Sequence, residues 1–109
     1  MENEQLYRAA LNTWGAEAQT KMVFEEIGEF MDALCKYTRG RVPAGHVAEE
    51  IADVQIMLEQ MTVLFEVESR VQEYREYKLA RLAERLQKAE SGGVYADGGA
   101  AQPLAMPGA

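Results

Sequence analysis

The amino-acid sequence predicts an all-α protein, an antiparallel four-helix bundle-like protomer that assembles into a dimer or tetramer. Apolar residues recur at intervals of three and four along most of the chain, and no segment alternates as a strand would. Breaks in this pattern fall at Trp14-Gly15 and between Gly40 and Pro43. Hydrophobic residues make up 48% of the 109 residues, enough for one globular core. The apolar residues occupy wide arcs around the predicted helices. A domain this short cannot cover all of them by itself, and oligomerisation would do so.

The first two helices are predicted over 2–13 and 16–38. The first contains Leu6, Ala9, Ala10 and Leu11 at helical spacing and ends where Trp14-Gly15 interrupts the pattern. The second carries its apolar residues at three- and four-residue steps, and Gly40 ends it.

The third helix is predicted to begin near Pro43, which suits a first helical turn. Ser69 to Gln72 resembles a capping box, so the break before the fourth helix is expected near 65–68. The fourth helix then runs to about Glu90. Residues 91–109 are rich in glycine, alanine and proline and are predicted to form a disordered tail, which leaves a helical domain over 1–90.

The net charge and composition of the chain argue against some classes of partner. The net charge of −7 argues against binding a nucleic-acid polymer, although a bound metal ion would still allow a single nucleotide. The acidic N-terminus does not resemble a signal peptide, and no apolar run is long enough to span a membrane. Cys35 is the single cysteine, so no intramolecular disulfide forms. We therefore expect a cytoplasmic protein without a membrane partner.

Two acidic pairs lie at matching places on the second and third predicted helices. Glu26 and Glu29 are three residues apart, as are Glu50 and Asp53, so each pair shares one helix face. If the chain folds back midway between Arg39 and Gly40, Glu26 lies opposite Asp53 and Glu29 lies opposite Glu50. One hairpin thus brings four carboxylates together. The alternative is a solvated acidic face on each helix.

Four converging carboxylates repel one another unless counter-ions are present. Oxygen ligands without cysteine or histidine favour magnesium or manganese over zinc. A di-iron bundle would need Glu-x-x-His motifs on two helices, and the only histidine, His46, lies near the turn. We therefore predict a magnesium site, with manganese as a substitute.

These motifs resemble those of the MazG-like all-α nucleoside triphosphate pyrophosphohydrolases, in particular the small phage-type members. The signature is Glu-Glu-x-x-Glu followed by Glu-x-x-Asp, which stands here at 25–29 and 50–53. Trp14-Gly15, Gln19, Lys36-Tyr37 and the run over 51–60 look similar as well, and the resemblance covers about 5–88. It implies magnesium-dependent hydrolysis of a nucleoside triphosphate to the monophosphate and pyrophosphate. The substrate could also be a deoxy or non-standard nucleotide.

The resemblance also implies roles for particular residues. The implied magnesium ligands are Glu26, Glu29, Glu50 and Asp53. Glu25 is implied either to assist in activating water or to lie on the surface. Basic residues of the last helix would hold the phosphates, and Lys78 and Arg81 match that position. Residues that could stack on or hydrogen-bond a base are Trp14, Gln19 and Tyr37.

Other readings of the sequence stay open. Within the same superfamily, the chain could be a dUTPase-like enzyme or a phosphoribosyl-ATP pyrophosphohydrolase, which share the carboxylates and differ in substrate. From another class, it could be a non-catalytic helical dimerisation module that keeps only the bundle. Relatives often have a glycine after the third helix, where this chain has Phe65-Glu66.

Overall fold

The computed structural model describes residues 1–91 and contains four α-helices and no strand in that part of the chain. The helices are α1 (Glu4–Trp14), α2 (Ala16–Thr38), α3 (Ala44–Leu64) and α4 (Glu68–Glu90). Their bounds lie within about two residues of those expected from the sequence, so the all-α prediction is confirmed. None of the four is long and apolar enough to cross a membrane. The tail predicted over 91–109 lies, apart from Ser91, outside the described residues.

The described chain divides into two compact units. The first, Met1–Glu66, contains α1, α2 and α3, which pack against one another. The second begins at Val67 and contains α4, none of whose side chains is buried. The bundle arrangement of the four helices and the dimer or tetramer stay predictions.

Residues with left-handed backbone conformation stand at the breaks between helices. Gly15, with φ +91°, separates α1 from α2, and its amide donates to the Leu11 carbonyl at 2.9 Å. Gly40, with φ +70°, follows α2. Both conformations are accessible to glycine without steric cost. Glu66 adopts φ +53° after α3, so a non-glycine residue holds the left-handed conformation at that break.

The packed core of the first unit is small. Its buried hydrophobic side chains are Tyr7, Ala33, Tyr37, Met57 and Val63. Tyr7 attaches α1 to α3, because its hydroxyl donates a hydrogen bond to Glu59 Oε2 at 3.0 Å. Burial, together with this carboxylate, raises the pKa of Tyr7 above its usual value. The hydroxyl therefore stays protonated and able to donate across the physiological range.

Enlarging Ala33 should destabilise the first unit, because this residue is fully enclosed on α2. We expect Ala33→Leu to lower the free energy of unfolding by about 1–3 kcal/mol through overpacking. Ala18→Leu on the exposed side of the same helix is the matched control and should change it by less than about 0.5 kcal/mol. Urea denaturation followed by circular dichroism measures both. Equal effects of the two substitutions would contradict the packing described.

Candidate metal centre

Three carboxylates meet where α2 packs against α3. One oxygen each from Glu26, Glu29 and Glu50 lies within 4.8 Å of the other two. Glu26 and Glu29 are adjacent on α2 because they are three residues apart, and Glu50 reaches them from α3. The hairpin therefore brings together three of the four residues predicted as metal ligands.

Asp53, the fourth predicted ligand, lies close enough to act on this cluster by its charge. Its carboxylate raises the pKa of both Glu26 and Glu50, although its oxygens are not part of the group of three. It is half-buried on α3, one turn after Glu50.

Burial differs sharply between the members of the cluster. Glu50 is 7% exposed, and its Oε2 is buried without a hydrogen-bond partner among the described residues. Glu26 is half-buried, and its Oε2 is equally enclosed and without a partner. Glu29 is exposed. The cluster thus has a closed side at Glu50 and an open side at Glu29, where a ligand could approach.

The pKa values of the two enclosed carboxyls are raised. For Glu50 the main cause is desolvation, followed by the charges of Glu29 and Asp53. For Glu26 the order is the same, with desolvation first and then Glu29 and Asp53. Both groups are therefore harder to ionise than free glutamate, and nearby positive charge would offset that penalty.

The residues present fit a hard divalent cation. Carboxylate oxygens are the ligands that magnesium and manganese prefer, and an anionic cluster binds such ions through charge as well. The enclosed oxygens of Glu26 and Glu50 are costly when unpaired, and a cation would satisfy both of them. By contrast, an ordinary solvated acidic face would leave neither oxygen enclosed.

Other predicted site residues are dispersed. Glu25 is exposed on α2, about 100° around the helix from Glu26. Lys78 and Arg81 are exposed on α4 in the second unit, three residues apart on that helix. The roles of these three residues stay predictions.

The proposed base-binding residues do not form a single pocket within one protomer. Gln19 and Tyr37 are both buried, but 18 residues of continuous helix separate them, about 27 Å along the axis of α2. One base cannot contact both. Trp14, exposed at the end of α1, lies close in sequence to Gln19. The set therefore separates into a Trp14 and Gln19 end and a Tyr37 end, with the acidic cluster between them.

Gln60 is a site candidate that the acidic motifs did not indicate. It is 4% exposed, and its Oε1 is buried without a hydrogen-bond partner among the described residues. The fold-back point that pairs Glu26 with Asp53 also pairs Gln19 with Gln60. Extending that pairing along both helices would have identified this buried amide pair, which lies two turns from Asp53.

Comparison of the chain with protein-family models, with curated proteins and with solved structures found no match. The likeness to MazG-like enzymes is therefore a resemblance of motifs. Any functional inference depends on the residues of the carboxylate cluster themselves.

Neutralising Glu50 should stabilise the metal-free protein at neutral pH. Its folded-state pKa is raised, so its ionised form opposes folding above that pKa, and the penalty disappears as the pH falls through it. We expect Glu50→Gln to melt a few degrees above the wild type at pH 7.5 and to lose this advantage progressively as the pH falls from the raised pKa towards that of free glutamate. Thermal melting in chelator at several pH values measures the difference.

Glu73→Gln, which removes an exposed carboxyl on α4, is the control and should melt close to the wild type at pH 7.5. If Glu50→Gln melted below the wild type at every pH, the carboxylate would be making favourable contacts, and the account of an unpaired buried charge would be wrong.

Proposed function

We propose that this protein is a magnesium-dependent nucleoside triphosphate pyrophosphohydrolase. The observation that carries the proposal is the pair of enclosed, partnerless carboxylate oxygens of Glu26 and Glu50, in a cluster whose third member, Glu29, is open to solvent. Such a cluster weakens the fold unless a cation occupies it, which supports a binding role over a structural one. The resemblance of the acidic motifs adds the reaction class.

In this proposal the four carboxylates have different roles, which depend on how far each one is buried. Glu50 and Glu26, each with an enclosed oxygen, would hold a divalent cation. Glu29 and Asp53 would complete the set of carboxylate ligands. A bound divalent cation supplies charge neutralisation on the phosphates and a water of lowered pKa. Glu25, one position before Glu26, is the nearest further carboxylate on α2 that could accept a proton from the attacking water.

The reaction balances as a hydrolysis. The water oxygen forms a bond to the α-phosphorus, and the bond from that phosphorus to the oxygen bridging to the β-phosphate breaks. The products are a nucleoside monophosphate and pyrophosphate, and the water proton passes to a carboxylate and then to solvent. Pyrophosphate leaves as a unit, so orthophosphate is not a product.

The polyphosphate needs more positive charge than the first unit offers. Residues 1–66 contain twelve acidic and five basic side chains, whereas α4 contains six basic and five acidic ones. The phosphate contacts that the resemblance implies, Lys78 and Arg81, belong to α4 in the second unit and stay predictions.

The Gln19 end is the better candidate for the base. Gln19 and Gln60 lie seven residues from Glu26 and Asp53 respectively, about 10.5 Å along each helix, which is a suitable span between an α-phosphate and the edge of its base. The unpartnered Oε1 of Gln60 would gain a hydrogen bond from a base amino or imino group. Trp14, just before α2, offers a stacking surface.

We expect the wild type to release pyrophosphate, with no orthophosphate, from at least one member of a panel of canonical and modified nucleoside triphosphates when magnesium or manganese is present. Glu29→Gln and Asp53→Asn should abolish turnover without lowering the melting temperature of the metal-free protein. Magnesium should raise the melting temperature of the wild type and raise that of both variants much less, because the ion binds the folded cluster.

Glu17→Gln, on the exposed side of α2, is the matched control and should keep full activity. The panel also distinguishes the two alternatives within the superfamily. A dUTPase-like enzyme would prefer dUTP, and a phosphoribosyl-ATP pyrophosphohydrolase would prefer phosphoribosyl-ATP. If the protein bound magnesium but released no pyrophosphate from any nucleotide, it would be a metal-binding module and not the proposed enzyme. Absence of both would indicate the non-catalytic helical module.

Substitution of Gln60 should change the choice of nucleotide more than the chemistry. We expect Gln60→Leu to raise KM for the preferred nucleotide by about 10-fold, the effect of one lost hydrogen bond, with a smaller change for disfavoured ones. Steady-state kinetics across the panel measures this. An equal loss for every nucleotide would show that Gln60 only supports the packing of α3.

A further inference from the structure

His46 is the one histidine of the chain, and the proposed function gives it no role. It lies on α3, four residues before Glu50 and seven before Asp53. Residues at these intervals share one face of a helix, one and two turns apart. His46 therefore belongs to the same row of side chains on α3 as two of the predicted metal ligands.

The charge of His46 acts on the carboxylate cluster. Desolvation has the largest influence on the pKa of Glu50 and raises it, as do the charges of Glu29 and Asp53, whereas a positive charge on His46 lowers it. Such an influence indicates proximity, because the interaction between two charges weakens with distance and is screened by solvent. His46 is half-buried, so part of its surface is shielded from water.

The ring nitrogens of His46 are available to a ligand. The ring takes part in no hydrogen bond or salt bridge within residues 1–91. The fold-back that pairs Glu29 with Glu50 pairs His46 with Ala33, whose methyl group offers neither a donor nor an acceptor. In neutral imidazole one nitrogen has a lone pair, which can accept a hydrogen bond or bind a metal ion.

We propose that His46 is a nitrogen ligand of the cation held by the carboxylate cluster, and that it makes this site prefer first-row transition ions, manganese included, to magnesium. This inference rests on the cation site of the proposed function but not on its nucleotide chemistry. Two ligands four residues apart on one helix are a recurrent way to hold a metal ion, because successive turns present them to the same side. His46 and Glu50 form such a pair.

A neutral imidazole adds a donor atom without adding negative charge. The four predicted carboxylate ligands carry four negative charges when ionised, twice what one divalent cation neutralises. Desolvation and the neighbouring carboxylates already raise the pKa values of Glu26 and Glu50. A fifth carboxylate would increase that repulsion, and the His46 nitrogen does not.

The nitrogen ligand also decides between cations. Magnesium is a hard ion that binds through carboxylates, phosphates and water, whereas imidazole is a typical ligand of first-row transition ions. Manganese accepts carboxylates as magnesium does, and it precedes the other transition ions in the general order of affinity. It is therefore the transition ion for which the comparison with magnesium is most stringent.

Two other roles for His46 predict different behaviour. If it were only a positively charged neighbour of the cluster, it would repel any cation, and its removal would strengthen the binding of both ions. If it only contacted a phosphate of the nucleotide, its removal would leave both affinities unchanged in the absence of nucleotide. Metal binding without nucleotide therefore separates the three roles.

Calorimetric titration of the full-length protein with manganese or magnesium, without nucleotide, tests the proposal. The wild type should bind manganese more tightly than magnesium, and His46→Gln should weaken manganese binding by about 10–100-fold and magnesium binding by less than about 3-fold. His46→Glu, which replaces the nitrogen by oxygen, should bind magnesium at least as tightly as the wild type. The control Gln55→Ala, on the exposed side of α3, should keep both affinities.

Pulsed electron paramagnetic resonance of the manganese-loaded protein reports ligation directly. A bound imidazole nitrogen modulates the electron spin echo of manganese, and in protein purified without a histidine tag His46 is its only source. We expect this modulation in the wild type and in Gln55→Ala, and its loss in His46→Gln. The wild-type spectrum stands by itself even if a variant fails to fold.

Three results would overturn the proposal: a manganese-loaded wild type without nitrogen modulation, an equal loss of both ions in His46→Gln, or manganese binding that this variant leaves unchanged or strengthens. The proposed function fails separately. Nitrogen modulation in a protein that releases no pyrophosphate would refute the enzyme and support this inference. Pyrophosphate release without the modulation would do the reverse.

Discussion

The antiparallel pairing of α2 with α3 determines the rest of the first unit. Because both helices are straight, uninterrupted runs, a single fold-back at Gly40 fixes every facing pair between them. It brings Glu29 close to Glu50, and the same register pairs Gln19 with Gln60 by position. It also brings the Thr20 hydroxyl to 3.8 Å from Met61 Sδ. The acidic cluster and this contact between the two helices are therefore two results of one register.

This register places polar groups where a helical hairpin normally buries hydrophobic ones. The facing seam contains Glu50 and Gln60, each with an enclosed oxygen lacking a partner, and only a few fully buried apolar side chains accompany them. Desolvation and mutual repulsion make such a seam costly. The apolar residues lie instead on the outer side of the hairpin. The hairpin therefore combines a costly polar seam with large apolar side chains that stay open to water, such as Phe24 at 70% and Met31 at 60% exposed.

Much of the fold and of the candidate site was predictable from the sequence. The features that were not predicted have identifiable physical reasons. Helix spacing and breakers at Gly15 and Gly40 predict all four helices, and the paired acidic motifs predict the meeting of Glu26, Glu29 and Glu50. The predicted helix over 16–38 already implies that Gln19 and Tyr37 lie about 27 Å apart, too far for one base, so this separation could have been recognised from the sequence. Burial of Gln60 was missed because a lone glutamine gives no signal without its facing partner. Spacing predicted Asp53 as an equal member of the cluster, but it does not specify rotamers, which decide which oxygens come together.

The acidic cluster and the exposed apolar side chains of α2 depend on the same helical phase. This limits the insertions and deletions that the protein can accept. Adding or deleting one residue inside α2 would rotate everything beyond that point by about 100°, which would move Glu29 out of the cluster and Met31 off the apolar side together. Exchanges of side chains leave the phase intact and can alter one surface at a time. The short connection between Thr38 and Ala44 begins and ends outside both helices, so it can absorb a change of length without rotating either one. In lineages derived from this chain, length variation should accordingly gather in that connection, while α2 and α3 keep their residue count.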